Sequence, residues 1–234
     1  MIQIIPAIDL INGQNVRLTK GDYDSKTPMK RTPQEAIQFY SQFKQVARIH
    51  IVDLMGALNQ AATETDLITQ LKQLTHLPLQ IGGGLRDRET IDHYAKVGID
   101  YFIIGTRAFT DLEWLKELVS AYPGRIIVGM DAKDDQIYIN GWTEDSGWTI
   151  SDYLKQVEDL DLAAIIYTDI DKDGMNQGPN FEKTEAISKQ TRHQVIASGG
   201  IRDQADLQEL AKRSITQAVV GKASHQATFW EGIK

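Results

Sequence analysis

Three short motifs occur twice in this sequence at one fixed separation. The run Gly83-Gly84-Leu85-Arg86-Asp87 returns as Gly199-Gly200-Ile201-Arg202-Asp203, 116 residues later (199 − 83 = 116). The pair Asp53 and Asp169 and the pair Gly105 and Gly221 have the same separation. Self-similarity at one period indicates that the chain contains two related structural units. We place the two halves at about 1–117 and 118–234.

Each half alternates short apolar runs with longer amphipathic stretches. Nearly continuous apolar runs are typical of parallel strands buried on both faces. The predicted strands are Ile2–Asp9, Val46–Asp53, Leu79–Gly82, Tyr101–Gly105, Arg125–Asp131, Ala163–Asp169, Gln194–Ser198 and Gln217–Gly221. The predicted helices occupy about 33–45, 63–75, 88–98, 111–120, 150–160, 181–190 and 203–213. Helix-start signals stand at Thr32-Pro33 with Glu35, and at Asp87, Asp111 and Asp203.

This alternation predicts an α/β fold of parallel βα units. An open, doubly wound sheet fits the alternation as well as a closed barrel does. The repeat favours the barrel, because two four-stranded halves close naturally into a ring of eight strands. We therefore predict a single (βα)8 TIM-barrel domain over residues 1–234, built from two similar half-barrels.

Composition excludes several classes of function. The 41% apolar content is enough for a full core, and the net charge of −7 argues against a general nucleic-acid binder. The chain has no cysteine, which excludes disulfides and thiolate chemistry, and its five histidines show no metal-ligand spacing. Because no stretch approaches about 18 apolar residues, we expect a cytoplasmic protein with no membrane partner.

Glycine turns after two predicted strands indicate phosphate binding. Glycine lets backbone N–H groups approach an anion closely, and barrels commonly bind phosphate in such loops. A further glycine follows the next strand in each half. The predicted phosphate-binding residues are Gly83, Gly84, Gly105, Thr106, Gly199, Gly200, Gly221 and Lys222. The alternative is that the glycines only form tight turns. If both sites bind, the ligand carries two phosphates.

Several of the predicted strands end in an aspartate. Asp9 ends the first strand and Asp131 ends the fifth, which are opposite positions in a ring of eight. Two opposed carboxyl groups over a sugar phosphate can act as general acid and general base. Asp53 and Asp169 end the second and sixth strands. For these two, holding the barrel rim together is an equally good explanation.

Two long segments follow the first and fifth strands, at 10–31 and 132–149. Segments of this length in a compact domain are usually functional lids or disordered. Trp142 and Trp148 in the second segment argue against disorder. Trp142 is suited either to packing or to stacking on a planar ligand ring.

Several motifs in combination resemble one known family. They are Ile5-Pro6-Ala7-Ile8-Asp9-Leu10, Val16-Arg17-Leu18, Gly21-Asp22, Val52-Asp53-Leu54, Gly82-Gly83-Gly84-Leu85-Arg86, Ile104-Gly105-Thr106, Gly141-Trp142-Thr143-Glu144, Tyr167-Thr168-Asp169-Ile170, Asp173-Gly174, Gly178-Pro179-Asn180 and Ser198-Gly199-Gly200-Ile201. Over residues 2 to about 223 the chain is similar to the phosphoribosylformimino-aminoimidazole carboxamide ribotide isomerases of histidine biosynthesis. The resemblance implies a TIM barrel, usually monomeric, without cofactor or metal.

The implied reaction is an Amadori rearrangement of an N-linked aminoaldose ribotide with two phosphates into the aminoketose. By the family's pattern, Asp9 would accept the proton and Asp131 would donate it. Thr168 and Asp173 match positions also tied to catalysis, and Asp173 is a rival for the acid role. Arg17 and Trp142 would close over the substrate. The same motifs imply substrate contacts at Gly21, Arg86 and Gly174.

The sequence departs from the family's pattern at two points. Met175 follows Gly174 where threonine is usual, and the tail reads Ser224-His225 in place of leucine–tyrosine. Three alternatives to the isomerase stay open. One is a dual-specificity form that also isomerises phosphoribosylanthranilate. Another is the sister cyclase subunit of imidazole glycerol phosphate synthase, which works with a glutaminase. The last is a catalytically silent phosphosugar-binding protein.

Overall fold

In a computed structural model, eight parallel strands close into a barrel. The structure describes residues 2–19, 21–175 and 177–233. The strands of the barrel are β1 (Gln3–Ile11), β4 (Ile49–Asp53), β5 (Leu79–Gly82), β6 (Tyr101–Ile104), β7 (Ile126–Lys133), β10 (Ala164–Asp169), β11 (Val195–Ser198) and β12 (Gln217–Val220). They follow one another in this order, and β12 pairs with β1 to close the ring. The barrel prediction is confirmed, and the open doubly wound sheet was wrong.

The predicted helices surround the barrel. They are α1 (Pro33–Tyr40), α3 (Thr65–Lys72), α4 (Arg88–Lys96), α6 (Leu112–Ala121), α7 (Ile150–Val157), α8 (Phe181–Ser188) and α9 (Gln204–Lys212). The predicted caps are confirmed: Thr32 and Glu35 form a capping box, and Asp87, Asp111 and Asp203 accept bonds from first-turn amides. Two short helices were not predicted, α2 (Leu54–Asn59) and α5 (Thr106–Thr110). No helix in the described part of the chain is long and apolar enough to cross a membrane.

The two long segments are ordered β-ribbons, where the sequence predicted loops. The first contains β2 (Gln14–Thr19) and β3 (Asp22–Pro28), and the second contains β8 (Gln136–Ile139) and β9 (Glu144–Thr149). The tight turn between β1 and β2 is Asn12-Gly13, with φ of 50° and 77°. Positive φ at both positions is the geometry that lets a two-residue turn join antiparallel strands. Each ribbon therefore prolongs a barrel strand over the mouth.

Two apolar layers position the site. Most of the buried apolar side chains pack between the barrel and the helices. A smaller cluster fills the barrel interior with Ile5, Ala7, Ile103, Ile127, Ala164, Ile166, Ile196 and Val219. Because side chains alternate along a strand, the residues two positions further on also face inward. Polar groups at the C-terminal strand ends therefore lie above an apolar floor.

The C-terminal segment ends in two 3₁₀ helices, Lys222–His225 and Ala227–Trp230. The Trp230 ring stacks on Phe43 with centroids 4.2 Å apart, and its Nε1 donates to the Ser224 carbonyl at 2.7 Å. The Tyr40 hydroxyl lies 3.1 Å from the Ser224 hydroxyl. The tail that departs from the family's pattern is therefore packed against α1.

Candidate active site

A cavity of about 320 Å³ opens at the C-terminal ends of the barrel strands. Every residue that the sequence nominated for the site lines this cavity. These are Asp9, Arg17, Gly21, Gly83, Gly84, Arg86, Gly105, Thr106, Asp131, Trp142, Thr168, Asp173, Gly174, Gly199, Gly200, Gly221 and Lys222. The fold thus brings residues from both halves and both ribbons to one place.

Asp9, two residues before the end of β1, is paired with an arginine of the first ribbon. Arg17 Nη1 lies 2.6 Å from Asp9 Oδ2, and 13% of each side chain is exposed. Burial raises the pKa of Asp9, while the Arg17 charge lowers it and the Asp173 charge raises it. Asp9 is therefore a carboxylate whose ionised form depends on Arg17.

Asp131, two residues before the end of β7, is held by the second ribbon and by β10. Trp142 Nε1 donates to Asp131 Oδ2 at 2.8 Å, and Thr168 is its neighbour in the β7–β10 register. Burial raises the pKa of Asp131, and hydrogen bonds from Trp142 and Thr168 oppose that rise. Since β1 and β7 are four strands apart in the ring, Asp9 and Asp131 face the cavity from opposite sides.

Asp173 lies in the loop after β10 and adds a third acid to the cavity. Burial raises its pKa, with Arg17 and the Gly174 amide opposing. Its charge in turn raises the pKa of both Asp9 and Asp131. Asp173 is therefore electrostatically linked to both opposed carboxylates.

Asp53 and Asp169 hold loops at the rim of the barrel. This is the structural role that the sequence analysis gave as an equally good explanation for them. Asp53 is 1% exposed and accepts from the amides of Gly56, Thr63 and Glu64 at 2.6–2.9 Å. Asp169 accepts from the Asp171 amide at 3.0 Å and from Asn180 Nδ2 at 2.7 Å. Both carboxylates are occupied in holding loops and do not line the cavity.

The two glycine turns have the same backbone conformation. Gly83 and Gly84 have φ of 96° and 74°, and Gly199 and Gly200 have φ of 88° and 80°. A Cβ on Gly83 would overlap the Asp53 carbonyl, and one on Gly200 would lie 2.5 Å from the Gly178 carbonyl. Tight packing therefore requires glycine here whether or not an anion binds. Gly105 differs, since no atom lies within 4 Å of a Cβ placed there.

The cations beside the two turns are unequal. Arg86 lines the cavity beside Arg107, and burial and the Arg107 charge both lower the pKa of Arg86. Its counterpart Arg202 is bound instead to Asp206, with Nε–Oδ2 2.9 Å and Nη2–Oδ1 2.6 Å. Lys222 supplies a cation on that side of the cavity. The guanidinium thus faces the ligand space at the first turn, whereas at the second it holds its own helix.

Sequence reasoning missed His50, which lies within the predicted strand Val46–Asp53. His50 lines the cavity from β4, and Gln80 Nε2 lies 2.7 Å from its Nδ1. Burial, aided by the charges of Arg17 and Arg48, lowers its pKa to about 3. The imidazole is therefore neutral, and its Nδ1 accepts from Gln80. Period-two alternation along the strand was the available signal, since it puts His50 on the inward face with Val52.

Further lining residues that the sequence did not single out include Tyr23, Arg107 and Asn140. Tyr23 sits on the first ribbon and donates to the Leu54 carbonyl at 2.7 Å. Asn140 precedes Trp142 in the second ribbon and contacts Arg86 and Thr106. These contacts depend on the path of the ribbons over the cavity. The sequence predicted loops in these segments and therefore gave no path for them.

The chain matches the sequence profile of a family described as histidine biosynthesis protein, over residues 3–230. The matched region includes every barrel strand and both ribbons. This protein therefore belongs to the histidine biosynthesis protein family and is an enzyme of histidine biosynthesis.

Proposed function

We propose that this enzyme isomerises an N-linked aminoaldose ribotide, phosphoribosylformimino-AICAR-phosphate, to the aminoketose by an Amadori rearrangement. The observation that carries the proposal is the placement of Asp9 and Asp131 on opposite sides of one cavity. A sugar bound between them has a proton acceptor on one face and a proton donor on the other.

The two glycine turns support a substrate with two phosphates. At one end of the cavity, Gly84 and Gly105 with Thr106 and Arg86 offer amides, a hydroxyl and a guanidinium. At the other end, Gly200 and Gly221 are joined by Lys222. The shared conformation of the turns also supports two related half-barrels, about 1–117 and 118–234.

In the first step, Asp131 protonates the furanose ring oxygen. The bond from that oxygen to C1 breaks, and the nitrogen lone pair forms the Schiff base. Burial raises the pKa of Asp131, which favours the protonated form that a donor needs. Trp142 and Thr168 fix the position of the carboxyl group.

In the second step, Asp9 removes the proton from C2. The C–H electron pair forms a C1–C2 double bond, the nitrogen becomes neutral, and the enol tautomerises to the ketone. Arg17 favours the ionised Asp9 that a base needs. Proton transfers and a rearrangement of bonds within the substrate account for both steps, so the reaction calls for neither a metal nor a redox cofactor.

An activity assay of the wild-type enzyme on two substrates, the aminoaldose ribotide and phosphoribosylanthranilate, tests the proposal. Isotope washout at C2 of the substrate is the second readout. Conversion of the ribotide with washout supports the isomerase, and conversion of both substrates supports the dual-specificity form. Consumption of the aminoketose with ammonia would overturn the proposal in favour of the cyclase. Binding without washout would overturn it in favour of a silent phosphosugar binder. An Asp9→Asn sample purified in parallel controls for a contaminating host isomerase.

A further inference from the structure

The turn between β8 and β9 holds three successive residues in left-handed backbone conformation. Asn140, Gly141 and Trp142 have φ of 52°, 66° and 72°. Asparagine and glycine adopt this region readily, but a large aromatic residue does so only when its surroundings hold it there. Trp142 is therefore kept in place by contacts of the turn and not by its own preference.

Asn140 makes the contacts that tie this turn to the first glycine site. Its backbone N–H donates to the Thr106 hydroxyl at 3.1 Å, and its Oδ1 accepts from Arg86 Nη2 at 3.3 Å. On the outer side, its Nδ2 donates to Glu144 Oε2 at 2.7 Å. Two of these partners, Thr106 and Arg86, are the groups proposed to bind phosphate.

The other end of the turn reaches Asp131. The Trp142 Nε1 donates to that carboxylate at 2.8 Å. The six-membered ring of the indole lies against Gly21, where a Cβ would come 3.2 Å from two ring carbons. The turn thus connects the first glycine site to Asp131 and to the first ribbon.

We propose that Asn140 is a positioning residue that couples phosphate binding at the first glycine site to the placement of Trp142 on Asp131. The Thr106 hydroxyl accepts from Asn140 and still has its own proton to donate to a phosphate oxygen. Arg86 has further N–H groups for the same anion. A bound phosphate therefore immobilises both groups that hold Asn140, and the turn is held more firmly.

The coupling belongs to the first site. At the second turn, Arg202 is occupied by the buried Asp206, which is 2% exposed, and so has no part in holding a ribbon. The inference rests on the proposed function only in that an anion must bind at Gly84 and Gly105. It does not depend on which reaction follows.

Titration with inorganic phosphate, monitored by tryptophan fluorescence, tests the coupling. The Trp142 signal is identified by its absence in Trp142→Phe, since Trp114, Trp148 and Trp230 also emit. The test variant is Asn140→Gly, which keeps the left-handed backbone and removes the side chain. Phosphate binding is measured separately by calorimetry.

We expect phosphate to change the Trp142 signal in the wild type and to change it much less in Asn140→Gly, which keeps the backbone bond to Thr106 but loses the side-chain bond to Arg86. The variant should still bind phosphate. With the ribotide, Asn140→Gly should lose about tenfold in kcat with little change in KM, since a misplaced donor slows the reaction itself. A full Trp142 response in Asn140→Gly would overturn the coupling, as would a failure of the wild type to bind phosphate.

Two controls separate the coupling from other effects. Glu144→Ala removes only the outer contact of Asn140 and should leave the phosphate response intact. Lys222→Met weakens the second site and should also leave the phosphate response of Trp142 intact. A phosphate response without any isomerisation would support the coupling while contradicting the proposed function.

Discussion

Arg17 Nη1 lies 2.6 Å from Asp9 Oδ2, across the turn that joins β1 to β2. The partner of the proposed base is therefore carried by the ribbon that covers the cavity. The Arg17 charge opposes the rise that burial imposes on the pKa of Asp9. Any change in the position of this ribbon changes the fraction of Asp9 that is ionised at a given pH.

Replacing Arg17 by methionine should move the acidic limb of the pH profile to higher pH. Without the guanidinium, burial and the Asp173 charge act on Asp9 unopposed, so the pKa of Asp9 rises. A base with a raised pKa becomes active only at higher pH. The measurement is kcat/KM against pH, which reports groups of the free enzyme.

Arg17→Lys is the matched control, because it keeps the charge and loses the planar donor group. Its acidic limb should stay near that of the wild type even if its rate falls. An unmoved limb in Arg17→Met would show that Asp9 does not set it.

Trp142→Phe should move the alkaline limb of the same profile to higher pH. The phenyl ring keeps an aromatic side chain at this position but cannot donate to Asp131. Loss of that hydrogen bond raises the pKa of Asp131, so the acid stays protonated to higher pH. A shift to lower pH would contradict the assignment of Asp131 as donor.

Asp173→Asn separates the two candidates for the acid. The Asp173 charge raises the pKa of Asp9 and Asp131, so both limbs of the profile should move to lower pH when it is removed. If Asp131 is the donor, activity should fall far less than in Asp131→Asn. A loss of about 10²–10⁴ in kcat in Asp173→Asn, with only a small loss in Asp131→Asn, would make Asp173 the donor instead.

Substitution by alanine should destabilise the protein to different degrees at the two glycine positions. Gly83→Ala should destabilise the protein by more than about 2 kcal/mol, because its Cβ would overlap the Asp53 carbonyl at a φ of 96°. Gly105→Ala should destabilise the protein less than Gly83→Ala does, since its Cβ enters open space. Urea unfolding measures both.

Calorimetry then tests the anion site with Gly105→Ala. The Cβ of Gly105→Ala enters the proposed site and should weaken phosphate binding without loss of structure. Unchanged phosphate affinity in this variant would place the anion elsewhere.

The barrel was predictable because each strand is a short continuous apolar stretch of sequence and because the repeat is regular. Nearly continuous apolar runs marked each strand, and one separation of 116 residues (199 − 83 = 116) gave a reason to close the ring. Asp9 and Asp131 followed from their places at strand ends. The ribbons were missed, although Asn12-Gly13 is the dipeptide that tight hairpin turns favour. The polar residues around that dipeptide obscured the alternation of β2.

The unequal arginines show where repeated sequence stops predicting structure. Arg86 and Arg202 occupy the same position in the repeat, yet one faces the cavity and the other does not. The difference comes from the residue one helical turn later, which is Thr90 in the first half and Asp206 in the second. An aspartate at i+4 can accept a bidentate bond from arginine, and a threonine cannot. The ion pair of Arg17 with Asp9, in contrast, depends on a ribbon whose path the sequence did not reveal.

The most direct test of the central claim compares Asp9→Asn and Asp131→Asn with the wild type in a spectrophotometric assay of the aminoaldose ribotide. Circular dichroism and thermal unfolding first establish that each variant is folded. With the base and the acid on opposite sides of one cavity, each substitution should reduce kcat by about 10²–10⁴. Activity close to wild type in either folded variant would contradict the proposed pair of opposed carboxylates.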